Sequence, residues 1–254
     1  ELTRLKRGWY TPQRPEWPVD RHALLVQAEL KDHPGTVASH HSGSIVLGYP
    51  VHRPDLRRVH LMRIDDRPAR SRPTVVIHRR VDDAATLVPA LVIAQTALNC
   101  PISGLMAIDH ALRAQTVTVA DVESWAGKLK DHAGVAQLVP VLALADGRRE
   151  SALESRTALA FHYWGWRLQP QFEVPGTTYR ADARLGTSRV LLECDGESKY
   201  AEAGSELAEK VREDEIRSLG WEVVRVTTPL LDERTTLIRR VNAALSRANQ
   251  RRAG

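Results

Sequence analysis

Residues 189–200, RVLLECDGESKY, constrain this chain more than any other stretch. Val190, Leu191 and Leu192 form an apolar run that reads as a buried central strand. That strand leads straight into Glu193 and Asp195, and positions i and i+2 share one face of a strand. A further acid, Asp182, lies just upstream in YRADARLG. If the intervening GTSR is a four-residue hairpin loop, Leu185 pairs with Val190, and counting back sets Asp182 opposite Glu193. Three carboxylates then converge on one patch, with Lys199 just beyond Gly196. Like charges placed opposite each other in a sheet are unfavourable. A metal ion, a basic side chain or water must sit among them. A divalent cation would turn the cost into a site, because hard oxygen ligands suit Mg²⁺.

The 254 residues are enough for one large domain or two to three small ones. No apolar stretch approaches the length of a membrane span, and no secretory signal is visible at the amino end. Cys100 and Cys194 form no CxxC pair, which fits a reducing, cytoplasmic compartment and offers no zinc site. The net charge of +5 is unevenly spread, since residues 1–80 carry 15 Lys/Arg against 8 Asp/Glu. Such a basic segment suits an anionic partner, nucleic acid being the commonest, or is simply an Arg-rich surface.

Residues 1–12, ELTRLKRGWYTP, read as a basic, aromatic strand. It is either the wing of a winged helix-turn-helix whose recognition helices lie upstream of residue 1, or an edge strand of the next domain. Arg4, Lys6 and Arg7 are its candidate DNA-contacting residues. DRHALLVQAELKD has helical apolar spacing and ends at Pro34-Gly35. TVASHHSGSIVLGYPV reads as a short helix opened near Ser39 and closed at Gly48; the adjacent His40 and His41 read as polar residues at its start rather than as metal ligands. RRVHLMRI and TVVIHRR read as strands, and the Arg/Pro-rich loop 65–73 between them as a phosphate-facing hairpin or disorder. Residues 84–146 read as a helical block broken at Pro101. The chain thus divides into a basic α/β region (1–83), a helical linker block (84–147) and a carboxyl-terminal domain (148–254).

That last domain has a clean order. ESALESRTALAFHYWGW is a helix in which Ser151 and Glu154 have capping-box spacing. The strands QFEV, TYRADARL and VLLECD follow. GSELAEKVREDEIRSLG is an amphipathic helix with Leu207, Val211, Ile216 and Leu219 inward. WEVVRVT is a strand and LDERTTLIRRVNAALSRANQ a closing helix, giving α-β-β-β-α-β-α in a mixed α/β (α+β) fold.

This order and these residues resemble the PD-(D/E)XK nuclease superfamily, and within it the very-short-patch-repair (Vsr)-like branch. The residues that carry the resemblance are Glu154, Asp182, Glu193-Cys194-Asp195-Gly196, Lys199, EKVREDEIRSLG and GWEVVRV. Asp195 stands where the superfamily's lysine would be, so Lys199 or Lys210 would have to supply the positive group. The zinc-ligating residues of true Vsr enzymes have no counterpart, so mismatch-specific repair is not implied. The remainder, through LKRGWY and SHHSGSIVLGYPV, is similar to AbiEi-type antitoxins, which are DNA-binding autorepressors.

The resemblance implies a DNA endonuclease dependent on Mg²⁺ or Mn²⁺. Asp182 and Glu193 would be metal ligands, Asp195 a ligand or water-positioning group, Glu154 an orienting acid or merely a helix cap, and Lys199 a group near the phosphate. From their own settings, Gln171 beside Pro170 is a candidate nucleic-acid contact or simply a polar surface residue, and Lys210 a candidate contact or part of a solvated helix face. The alternative is a transcriptional regulator or antitoxin that uses a nuclease-like fold only as a scaffold.

Overall fold

The structure, a computed structural model, describes residues 2–196 and 214–253. Helices and strands are mixed, and the chain forms two compact units, Glu1–Gly147 and Arg148–Gly254. The helical block 84–147 therefore belongs to the same unit as the basic region before it. Among the described residues no helix is long and apolar enough to cross a membrane.

The first unit opens with a hairpin, β1 (Thr3–Lys6) and β2 (Trp9–Thr11), turned at Gly8 with φ 82°. Only Leu5 of its apolar residues is buried, in a core with Leu25 and Val26 of α1 (Pro18–Asp32). The central sheet has the order β3-β4-β6-β5, built from Thr36–Ala38, Val59–Arg63, Val75–His78 and Arg70–Ser71, respectively. Val59, Leu61, Val75 and Ile77 face the α1 core. On the other face Gln95 Nε2 approaches Met62 Sδ at 3.3 Å.

Two sequence expectations change here. The loop 65–73 is not a simple hairpin, because β4 and β6 run parallel. The chain instead doubles back through β5, which pairs antiparallel with the free edge of β6. Second, the short helix α2 (His40–Val46) begins where expected, but His40 is only 6% exposed. It is not a solvated residue at a helix start.

Pro101 breaks the helical block as expected. α3 (Pro89–Asn99) and α4 (Pro101–Arg113) meet at Cys100, and α5 (Val119–Lys128) and α6 (Leu138–Leu144) complete it. Thr118 caps α5 and closes a capping box with Asp121. Before α6 the chain passes over the end of α3 at Gly134, with φ 85°. A Cβ there would lie 2.2 Å from the Leu98 carbonyl oxygen. Both the backbone conformation and the space demand glycine, so Gly134→Ala is expected to cost roughly 2–4 kcal/mol of stability. Urea unfolding of the two proteins measures this, and a difference under about 0.5 kcal/mol, the scale of a neutral surface change, would refute it.

The second unit places α7 (Ala152–Tyr163) on a sheet of order β10-β9-β8-β7. Its strands are Leu168–Glu173 (β7), Arg180–Leu185 (β8), Val190–Asp195 (β9) and Glu222–Thr227 (β10). β9 and β10 are parallel and the other pairs antiparallel. Residues 214–218 are helical (α8), followed by Gly220 at φ 81°. Ile216 is buried against Leu191 and Trp221, but Leu219 is 40% exposed. Leu219 lies in the turn beyond the last helical residue, where the helical period that would turn it inward has ended. Leu207 and Val211 lie outside the described residues. α9 (Thr228–Asp232) and α10 (Arg234–Ala253) close the unit, with Leu237, Val241 and Ala244 packing on Leu192 and Val224.

Candidate active site

The hairpin count holds in the register of β8 and β9. Ala183 pairs with Leu192 and Arg184 with Leu191, which carries Leu185 to Val190 and Asp182 to Glu193. At the acids the backbone ladder gives way to side chains. The Cys194 N–H donates to Asp182 Oδ2 at 2.7 Å. The Tyr179 hydroxyl donates to Glu193 Oε1. Asp182 and Glu193 both line an open cleft of about 820 Å³, with Thr177, Tyr179, Arg180 and Ile216 among its other walls.

Burial pushes the Glu193 carboxyl up to about 7. The Tyr179 hydrogen bond works against that rise, and the Asp182 and Asp195 charges add to it. Among the described residues Glu193 forms no ion pair, which is compatible with a cation-binding carboxylate.

Asp195 points to the same side as Glu193 by strand alternation, but it does not line the cleft. Its Oδ2 is 3.6 Å from Nη1 of Arg225 on the neighbouring β10. A basic side chain therefore meets this third acid, the possibility that the residue pattern had left open.

Glu154 and Gln171 form an unexpected pair. The Glu154 N–H donates to Ser151 Oγ at 3.1 Å, so Ser151 caps α7. The Glu154 carboxylate turns elsewhere: its Oε2 accepts from the Glu150 N–H at 3.1 Å and from Gln171 Nε2 at 2.8 Å. Burial raises its pKa, with Asp182 contributing to the rise and these hydrogen bonds opposing it.

Gln171 reaches inward because of a local irregularity in edge strand β7. Pro170, which has no N–H, precedes it. The register then passes from Pro170↔Ala183 to Phe172↔Ala181, leaving Gln171 and Asp182 as the positions between. Gln171 has φ 51°, a strained value for a residue with a side chain. Gln171 therefore turns to Glu154 rather than to solvent or substrate, and the Pro-Gln step inside a strand is the sequence signal for it. A small cavity beside the cleft is lined by Glu154, Thr157, Asp182 and Cys194, so Asp182 borders both spaces. Burial raises the pKa of the Cys194 thiol well above its usual range, so it is an inert packing group. Lys199 and Lys210 lie outside the described residues.

In the first unit Arg4 and Arg7 are exposed. Lys6 is not available in the same way: its Nζ is 2.7 Å from both Glu29 Oε1 and Asp32 Oδ2 on α1. The Trp9 indole N–H also donates to Asp32. Lys6 fastens the hairpin to α1, because Glu29 is almost fully buried and needs a cation. Lys6→Ala is expected to lower stability by about 1–3 kcal/mol, as for loss of a partner to a buried charge. Arg4→Ala should change it by less than about 0.5 kcal/mol, as at most surface positions. Parallel thermal melts of the two variants measure the contrast.

Two similar sequences are known from Mycobacterium tuberculosis, the uncharacterized protein MT2308 of strain CDC 1551 / Oshkosh and the uncharacterized protein Rv2248 of strain ATCC 25618 / H37Rv. Each is 28% identical to this chain over 177 residues. The match takes in 63% of this chain and 65% of each relative's own length. No protein-family model and no solved structure matches the chain.

Proposed function

We propose that the carboxyl-terminal unit is a Mg²⁺- or Mn²⁺-dependent DNA endonuclease of the PD-(D/E)XK type, related to the Vsr-like branch. The observation that carries this reading is the pairing of Asp182 with Glu193 on the wall of an open cleft, with the Glu193 carboxyl raised to about 7. The donor set fits a hard divalent cation: two carboxylates from adjacent strands supply oxygen ligands, and among the described residues Glu193 forms no ion pair. When bound, such an ion supplies charge neutralisation at a scissile phosphate and a water acidified towards neutrality.

The chain's own residues do the positioning. The Tyr179 hydroxyl orients Glu193, and the Cys194 N–H orients Asp182. Arg180 lines the cleft and pairs with Glu150 at 2.7 Å, which sets a guanidinium where a phosphate backbone would pass. Glu154 and Gln171 brace the edge of the sheet beside Asp182 rather than touching substrate. Asp195, already neutralised by Arg225, is an auxiliary group.

The basic hairpin at the amino end is the proposed DNA-docking element, a wing-like hairpin of the kind found in winged helices. Its exposed cations are Arg4 and Arg7, with Lys6 serving the fold. Arg4→Glu with Arg7→Glu should weaken DNA binding across all sequences and flatten its salt dependence, since fewer counterions are released. Fluorescence anisotropy at several salt concentrations measures this, and unchanged binding would remove the hairpin from the docking surface.

The direct test of the enzyme reading incubates the full chain with supercoiled plasmid, short duplexes and single strands across Mg²⁺ and Mn²⁺. Nicked or linear product that requires the metal is expected. No product on any form, with no heat of Mg²⁺ or Mn²⁺ binding by calorimetry, would overturn it in favour of a DNA-binding regulator with an inactive nuclease fold.

A further inference from the structure

The first unit contains a second cluster of metal-ligating side chains, with a different chemistry. His40 opens α2, His60 lies on β4 and His78 ends β6. In the parallel β4–β6 pair, His60 stands opposite Val76 and Met62 opposite His78. The two histidines therefore share one face of the sheet, a diagonal step apart, and α2 packs against β4 on that face. One ring nitrogen from each of the three residues lies within 4.8 Å of the other two. His60 Nδ1 and His78 Nε2 are 3.0 Å apart. The His40 ring lies against that of His78, with 3.9 Å between centroids.

A plain hydrogen bond between two core histidines would account for the 3.0 Å contact. It leaves two features without a reason. His40 holds φ 51°, costly for a residue with a side chain, and this conformation begins α2 with a buried imidazole beside the other two. Ser39 Oγ stands 3.1 Å from His40 Nδ1, the kind of outer partner that orients metal-bound imidazoles. Beside them His41 Nε2 is buried with no hydrogen-bond partner among the described residues, its ring 4.8 Å from that of His60.

We propose that His40, His60 and His78 form a binding site for a divalent transition metal, Zn²⁺ before others, with each imidazole giving one nitrogen. Three imidazoles with an open further position are a standard donor set for Zn²⁺. Two nitrogens on a tetrahedral Zn²⁺, each about 2.0–2.1 Å from it, lie about 3.3 Å apart, close to the His60–His78 separation. His60 and His78 are only partly buried, which leaves the cluster reachable from solvent. Nitrogen donors select against Mg²⁺, so this site is independent of the carboxylate cleft and does not rest on the nuclease reading.

The test uses the full chain without an affinity tag, stripped with a chelator and dialysed against limiting Zn²⁺. One tightly held Zn²⁺ per chain is expected, with Kd below about 1 µM. His60→Asn, His78→Gln and His40→Asn, the last because Asn tolerates a positive φ, should each weaken binding on the order of a hundredfold with unchanged circular dichroism. Asp182→Ala should bind Zn²⁺ as the parent does. Because a substitution in a buried site could unfold the unit, Co²⁺ loading of the parent gives a second readout. Intense visible ligand-field bands of a low-coordinate nitrogen site are expected. Zn²⁺ binding equal in the parent and the triple histidine variant, binding lost only on removal of Asp182, or weak six-coordinate Co²⁺ bands would each overturn the proposal.

Discussion

On the proposed nuclease reading, Asp182→Ala is expected to remove DNA cleavage while leaving the carboxyl-terminal unit folded. Asp182 borders both the open cleft and the small cavity beside Glu154, so it is the acid most central to the cluster. Asp182 would hold the ion that stabilises charge in a phosphoryl-transfer transition state, and losing such stabilisation costs on the order of 10²–10³ in rate or more. Glu193→Ala should do the same. Asp195→Ala should cost less, because Arg225 already meets that carboxylate. Stability should move differently from activity. The variant loses the Asp182 contact to the Cys194 N–H, but the Asp182 charge also opposes ionisation of Glu193 and Glu154. Without metal, the variant should therefore melt close to the parent above neutral pH. Added Mg²⁺ or Mn²⁺ should raise the melting temperature of the parent alone, since an ion that binds only the native state stabilises it. Equal cleavage by parent and Asp182→Ala, purified identically, would assign the activity to a contaminant or to another site.

The second large effect is a pH dependence carried by Glu193. In the unfolded chain its carboxyl ionises near the ordinary 4.5, and in the folded protein near 7, chiefly because of burial. Between those values the native state holds a proton that the unfolded state has released. Stability therefore falls as pH rises from about 4.5 to about 7, and the loss persists above that. Glu193→Gln removes the titration but keeps an oxygen for the Tyr179 hydroxyl. It should stabilise the metal-free protein by on the order of 2 kcal/mol at about pH 8 and by almost nothing at about pH 4. Chemical denaturation at the two pH values measures the difference. A gain of the same size at both would place its origin in packing rather than in charge.

Much of the carboxyl-terminal unit was legible because its signals are local. Ser151 three residues before Glu154 marks the start of α7, and Gly220 marks the end of a helix. A four-residue loop fixes the β8–β9 register, and a register fixes which side chains face each other, so Asp182 could be set opposite Glu193 by counting. Pro101 gave the α3–α4 break for the same kind of reason. Contacts between elements distant in sequence were not legible. Nothing in GWEVVRV states that Arg225 will meet Asp195, because that depends on β10 aligning parallel to β9. Lys6 looked like one more cation of a basic strand, whereas 23 and 26 residues of separation hid its partners Glu29 and Asp32.

By itself, then, the amino-acid sequence determined what lies within reach of one turn or one hairpin: helix starts and stops, the alternation of buried and acidic positions along β9, and the pairing of two carboxylates. Backbone stereochemistry and strand period act over a few residues, and they are written in adjacent letters. The tertiary structure decided which charges are compensated and which are not. It paired Asp195 with Arg225 and Lys6 with α1, turned Gln171 onto Glu154, and drew His40, His60 and His78 together from a helix and two parallel strands. Burial and long-range pairing set those outcomes, because the cost of a charge or the availability of a lone pair depends on everything packed around it.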